Sequence, residues 1–205
     1  MNITVLGATG PTGRVFLDAA ASAGHRTTAF VRDPARLRGT HADQVVVGDV
    51  FDPAEVRRAV LGADAVLTAL GLKGDRRTPL YSRGTRVLTE AMAGTGVRRL
   101  LVLSEAAYTP YVRGLPNRLI SGAYAAVNAP AVRERRRQDA VLAATDLEWT
   151  VVRPAFLTDG PPGPPLAPVL HPHRSLLART TRHDLAALLL GVLEDPATYR
   201  RSLYP

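Results

Sequence analysis

Three glycines at fixed spacing, Gly7-Ala8-Thr9-Gly10-Pro11-Thr12-Gly13, offer chemistry that needs no ionisable side chain. Glycines let the chain turn tightly and bring its backbone against a ligand. A helix opening behind such a turn presents unpaired N–H groups and a positive dipole end to a phosphate. The run follows the apolar stretch 3–6 and precedes a segment of helical spacing. In that context it reads as a pyrophosphate cradle for a dinucleotide, built from Gly7, Thr9, Gly10, Pro11, Thr12 and Gly13. Which dinucleotide depends on the end of the next apolar run, Phe30-Val31-Arg32-Asp33. A carboxylate there holds a free ribose hydroxyl, and a guanidinium holds a 2′-phosphate. Asp33 lies 20 residues beyond Gly13, a ribose-acid offset, but Arg32 precedes it and Arg14, Arg36 and Arg38 add positive charge. NADP(H) is therefore expected over NAD(H).

Later run ends carry further candidates. Asp49 and Val50 are placed for the adenine side, and Ala69, Leu70 and Gly71 for the central riboses. Asp49 could equally cap a helix before Pro53. The fifth run ends in Ser104-Glu105-Ala106-Ala107-Tyr108. A hydroxyl there would lie near the nicotinamide, as a cofactor contact, and can donate to a substrate oxygen as hydride arrives, so Ser104, Glu105 and Tyr108 are the candidate catalytic residues. A plain turn is the alternative for Ser104, and a solvated loop carboxylate for Glu105. His171-Pro172-His173 lacks a third ligand of fitting spacing, so no metal is expected. Ser104, His183 and Asp184 make a poor hydrolase triad, because Ser104 has no glycine-flanked elbow and His183-Asp184 reads as a helix start.

The elements that must hold these groups alternate along the chain. Apolar runs at 3–6, 27–31, 45–47, 65–68, 100–104 and 149–152 are separated by helical spacing at 13–22, 53–61, 80–93 and 131–144. That alternation predicts a doubly wound parallel α/β sheet of six or seven strands. Residues 108–128 read as irregular and 160–165 as a proline-rich loop. A short strand is expected near 176–179, then a helix over 182–194 capped by Thr181. The whole reads as one domain, with a dinucleotide-binding core over 1–153 and a small substrate lobe and closing helix over 154–205.

Composition removes other classes. The chain has 205 residues, a formal charge of +8 and no cysteine. Disulfide scaffolds, thiolate metal sites and thiol nucleophiles are excluded. Lys73 is the one lysine, so positive charge is arginine, scattered mostly in doublets. The denser run 133–137 reads as a solvated helix face, which argues against nucleic acid. The absence of a leader or of an apolar run near the ~20 residues of a membrane span points to a cytoplasmic protein with no membrane partner. A small-molecule substrate and a monomer or homodimer are expected.

Taken together, the motif at 7–13, Val31-Arg32-Asp33, Gly48-Asp49-Val50, the Ser104 strand end, Leu147-Glu148-Trp149-Thr150-Val151-Val152-Arg153-Pro154 and Arg182-His183-Asp184-Leu185-Ala186 resemble the atypical short-chain dehydrogenase/reductase branch. Within it, the likeness is to NAD(P)H-binding NmrA-like and biliverdin IXβ reductase (flavin reductase)-like proteins. The resemblance implies a Rossmann-like fold and pyrophosphate at Gly10–Gly13. It also implies a 2′-phosphate at Arg32, adenine at Asp49 and Val50, and the nicotinamide edge at Pro154, Ala155 and Phe156. The superfamily's Tyr-x-x-x-Lys pair is absent, since Lys73 has Ala69 four places before it and Tyr124 is followed by Asn128. Hydride transfer from NADPH to a small conjugated acceptor (a flavin, quinone, tetrapyrrole or polyketide-like enone) needs least acid help. An NADP(H)-sensing regulator, or a non-redox cyclase or isomerase, is the alternative.

Overall fold

The computed structural model describes residues 1–37, 39–71, 79–108, 114–167, 169–170 and 176–205. Within them seven parallel strands form the main sheet: β1 (Asn2–Leu6), β2 (Arg26–Val31), β3 (Gln44–Val47), β4 (Ala65–Thr68), β5 (Arg99–Leu103), β6 (Glu148–Val152) and β9 (Arg201–Leu203). Their order is β3-β2-β1-β4-β5-β6-β9. The chain thus moves outward from β1 to β3, returns, and moves outward on the other side from β4. That reversal opens a crevice between the carboxyl ends of β1 and β4.

Alternation along each strand divides the core between two layers. Val5, Leu67 and Leu101 pack with Phe16 and Leu17 of α1 (Pro11–Ser22) and Leu185 and Leu189 of α6 (Arg182–Gly191). Leu6, Val66 and Leu100 face the other way, onto Val56 and Val60 of α2 (Pro53–Val60), Leu88 and Met92 of α3 (Leu80–Ala93) and Leu142 of α5 (Ala129–Ala143). All residues of β4 and β5 are buried, Arg99 included, whose guanidinium donates to the Leu193 and Glu148 carbonyls. Of the segment 154–205, α6 and β9 complete these main layers. The parallel pair β7 (Phe156–Thr158) and β8 (Arg179–Thr181) stands apart as a second small sheet.

Several expectations are corrected. Residues 115–127 form a helix, α4 (Leu115–Val127), where an irregular stretch was expected. Pro116 sits in its first turn, where a missing N–H costs nothing, and Leu115, Leu119 and Val127 keep helical spacing. That stripe is exposed rather than buried. The cap before Pro53 is Asp52, whose carboxylate accepts from the Ala54 and Glu55 N–H groups at 2.8 and 3.1 Å. Asp49 instead closes its own turn onto the Phe51 N–H at 2.9 Å. The late strand lies at Arg179–Thr181 rather than 176–179, and α6 ends at Gly191. Nor is the arginine run wholly solvated, since Glu134 and Arg135 are buried on the inner face of α5 with Gln138.

Thr181 does cap α6. Its hydroxyl accepts from the Asp184 N–H at 3.1 Å and donates to the Asp184 carboxylate at 2.7 Å. Thr181→Ala is expected to lower the unfolding free energy by about 1 kcal/mol. Thr181→Ser should restore most of it. Urea denaturation monitored by circular dichroism checks both.

Candidate active site

A cleft of about 520 Å³ runs along the carboxyl ends of the strands. One end is the glycine turn, where Gly7, Thr9, Gly10, Pro11 and Thr12 form the wall. Gly7 adopts φ +84°, and a Cβ there would stand 2.5 Å from the Ala69 carbonyl oxygen. A Cβ on Gly13 would stand 2.3 Å from the Gly7 carbonyl oxygen. Both positions therefore need glycine: one turns the chain, and the other lets α1 start against it. Gly10 at the α1 N-cap supplies no capping side chain, which leaves the first-turn N–H groups for a ligand. A backbone cradle at a helix start facing a cleft fits a dinucleotide pyrophosphate.

Arg32 and Arg36 line the cleft beyond β2. Asp33 accepts from the Ala35 N–H at 3.0 Å, so it shapes the turn. Arg14 braces the same region, donating to the Thr9 carbonyl at 3.3 Å, to the Thr40 hydroxyl and to the Arg36 carbonyl. Asp49, Val50, Ala69, Leu70 and Gly71 also line the cleft. Arg38 lies outside the described residues, as do Lys73, His171 and His173.

The far end is formed by Leu103, Ser104, Glu105, Tyr81 and Arg135, with Leu157 and Arg182 from the β7–β8 side. Ser104 is held by its backbone N–H donating to the Val152 carbonyl at 2.9 Å. Glu105 accepts from the Tyr124 hydroxyl at 3.1 Å and lies 3.7 Å from the Arg135 guanidinium. Burial and the Glu105 charge raise the Tyr124 phenol well above its usual range, so it stays a donor. The Arg135 guanidinium carbon lies over the Tyr81 ring, 3.4 Å from its centroid, and the side chain donates to the Leu103 carbonyl and to Gln138.

A family model described as NAD(P)H-binding matches residues 7–196. The chain belongs to this NAD(P)H-binding family. It is 34% identical over 158 residues to the ceramide reductase of Caulobacter vibrioides, a match spanning 74% of this chain and 45% of that one. It is 24% identical over 213 residues to the uncharacterized sugar epimerase YhfK of Bacillus subtilis, covering 98% and 92% of the two chains. Among solved structures, ChuY, an anaerobillin reductase from Escherichia coli O157:H7, superposes with a TM-score of 0.80 at 19% identity, over 100% of this chain and 96% of that one. That likeness shows a shared Rossmann-like fold, as the sequence resemblance implied.

Within this NAD(P)H-binding chain not every expected residue reaches the cleft. Tyr108 is 4% exposed and stands behind Ser104, its hydroxyl 2.9 Å from the serine's, and it is not among the cleft's lining residues. Pro154, Ala155 and Phe156 are likewise absent from the lining. The Pro154 carbonyl accepts from Ala106 N–H, the Phe156 side chain is exposed, and Leu157 reaches the cleft instead. Sequence reasoning missed Arg135 and Arg153. Helical spacing of Val132, Arg135, Gln138 and Leu142 carries the signal for the first. Arg153 is legible only in three dimensions: its guanidinium donates to Tyr108, to Ser104 at 3.4 Å and to Asp139 at 2.9 Å. Among the described residues no helix is long and apolar enough to cross a membrane.

Proposed function

We propose that the protein is an NADPH-dependent oxidoreductase that reduces a small conjugated acceptor, such as a flavin, quinone, tetrapyrrole or enone. The carrying observation is the continuity of one cleft, from the glycine turn past Arg32 to Ser104. The turn and the α1 N-terminus would hold the pyrophosphate, Arg32 the 2′-phosphate, and Asp49, Val50, Ala69, Leu70 and Gly71 the adenosine and ribose portions. The bound dinucleotide would supply hydride. Ser104 would donate a proton where negative charge develops on the acceptor. Leu157 and Arg182 would wall off water from the β7–β8 side. With Tyr108 set back, Ser104, Glu105 and Tyr81 are the hydroxyl and carboxyl groups at the far end of the cleft among the described residues. So little acid help favours an acceptor that is easily reduced.

A specific observation favours a second reading. Glu105 shares the far wall with Ser104 and is hydrogen-bonded by Tyr124, a pairing that could move a proton at carbon. An isomerase or epimerase on the same scaffold would use Glu105 as base, in keeping with the likeness to YhfK. Titration with NADPH, then absorbance at the reduced-nicotinamide band with FMN, menadione and biliverdin, separates the two. Oxidation of NADPH by any of them supports the reductase. Tight binding with no oxidation favours the second reading.

Arg32→Ala is expected to weaken NADPH binding by about 1.5–3 kcal/mol, the range for a hydrogen bond to a charged group. That corresponds to roughly 10- to 150-fold in Kd, with NADH affinity nearly unchanged. Equal weakening of both dinucleotides removes the 2′-phosphate assignment.

A further inference from the structure

Behind Ser104 lies a set of polar side chains drawn from four parts of the fold. The Ser104 and Tyr108 hydroxyls are 2.9 Å apart, and either can donate. The single Tyr108 proton goes either to Ser104 or to the Asp139 carboxylate 3.3 Å away, and the phenol oxygen accepts from Arg153. Arg153, at the end of β6, pairs with Asp139 of α5 at 2.9 Å and donates through Nε to Ser202 at 3.2 Å. The Arg153 side chain is 6% exposed and that of Asp139 is 34% exposed. The set therefore runs from the cleft wall at Ser104 to solvent at Asp139. An ion pair alone accounts for Arg153 and Asp139. It does not account for a buried phenol bonded both to that pair and to the Ser104 hydroxyl at the cleft wall, to which Arg153 also donates at 3.4 Å.

We infer that Tyr108, held by Arg153 and Asp139, feeds a proton from solvent to Ser104. The catalytic part of this inference rests on the reductase reading. A substrate that has gained hydride from the reduced nicotinamide is left as an anion. It takes the Ser104 hydroxyl proton, and Ser104 takes the Tyr108 proton across their 2.9 Å contact. Burial and the Asp139 charge disfavour the phenolate that remains, and the Arg153 guanidinium against it offsets part of that cost. Bulk water at the exposed edge of Asp139 returns one proton to Tyr108 and leaves hydroxide in solution, so the net consumption is one solvent proton. The cation beside the tyrosine comes here from the end of β6, not from a lysine four residues along. Tyr108, Arg153 and Asp139 are positioning residues in this scheme, because they act through Ser104.

The test uses protein labelled with ¹³C at the tyrosine Cζ, with the Tyr108 resonance assigned by its loss in Tyr108→Phe. Addition of NADPH should shift that resonance in the native protein, and Ser104→Ala should abolish the shift. With whichever of FMN, menadione or biliverdin is reduced fastest, Tyr108→Phe should lower kcat by about tenfold with KM unchanged, and the solvent deuterium isotope effect on kcat should rise. Asp139→Asn should fall between the two, and Asp139→Glu should recover. A Tyr108 resonance that ignores NADPH, one that shifts equally in Ser104→Ala, or a Tyr108→Phe variant with native kcat overturns the proposal. Should NADPH bind with no acceptor reduced, the reductase reading fails, and the resonance alone decides whether Ser104 and Tyr108 are coupled.

Discussion

Gly13→Ala is expected to raise the Kd for NADPH by about 100-fold, close to 2.7 kcal/mol and within the cost of forcing extra atoms into a packed site. The added Cβ would lie 2.3 Å from the Gly7 carbonyl oxygen, 2.9 Å from the Ala8 Cα and 3.0 Å from the Gly7 carbonyl carbon. All three are backbone atoms, so no side chain can rotate away. The strain is relieved by moving the start of α1 off the turn, which displaces the N–H groups that face the cleft. Gly7→Ala should be at least as damaging, since it adds a φ of +84° to a 2.5 Å approach to Ala69. Gly122→Ala is the control, because a Cβ on that residue of α4 meets nothing within 4 Å. Fluorescence titration with NADPH, with circular dichroism to confirm folding, reads the outcome. Native affinity in folded Gly13→Ala would mean that the pyrophosphate is held elsewhere.

How much of this was legible beforehand follows from how local each signal is. The central strands were readable because both faces are buried. Runs such as Ala65–Thr68 and Arg99–Leu103 carry almost no polar residues to obscure them. The glycine turn was readable because every group in it lies within seven residues. Helix α4 was obscured by glycine, serine and asparagine in its sequence, and nothing in it is buried to impose a clear core stripe. The cap at Asp52 was not legible, and Asp49 stood as an alternative for it, because two aspartates precede Pro53 at short range and only the backbone shows which one reaches the helix. The proton-handling end was the least legible. Arg153 meets Tyr108 across 45 residues and Asp139 across 14, a separation that no motif spacing encodes. Tyr108 had the right residue type four places after Ser104, yet the short 3₁₀ turn over Ala106–Tyr108 carries it behind the serine and out of the cleft wall.

Ser104→Ala should lower kcat by about 10²–10³-fold while leaving NADPH affinity unchanged. The hydroxyl is the group at this strand end that both faces the cleft and touches the buried network. Its loss removes a donor to charge that develops during reduction, and nothing from the pyrophosphate or Arg32 contacts. Stability should fall by no more than about 1 kcal/mol, because Tyr108 keeps Asp139 and Arg153 as partners and the backbone of residue 104 stays bonded to Val152. That separation makes the variant informative: a large kcat loss in a protein of near-native melting temperature cannot be ascribed to unfolding. Glu105→Gln sharpens it. Should Ser104 be the donor, the glutamine variant keeps most of its kcat, since Tyr124 can still donate to the amide oxygen that replaces the carboxylate. If instead Glu105→Gln abolishes product formation while Ser104→Ala leaves it intact and NADPH is not consumed, the proton chemistry belongs to Glu105 and Tyr124, and the protein is an isomerase on an NAD(P)H-binding scaffold.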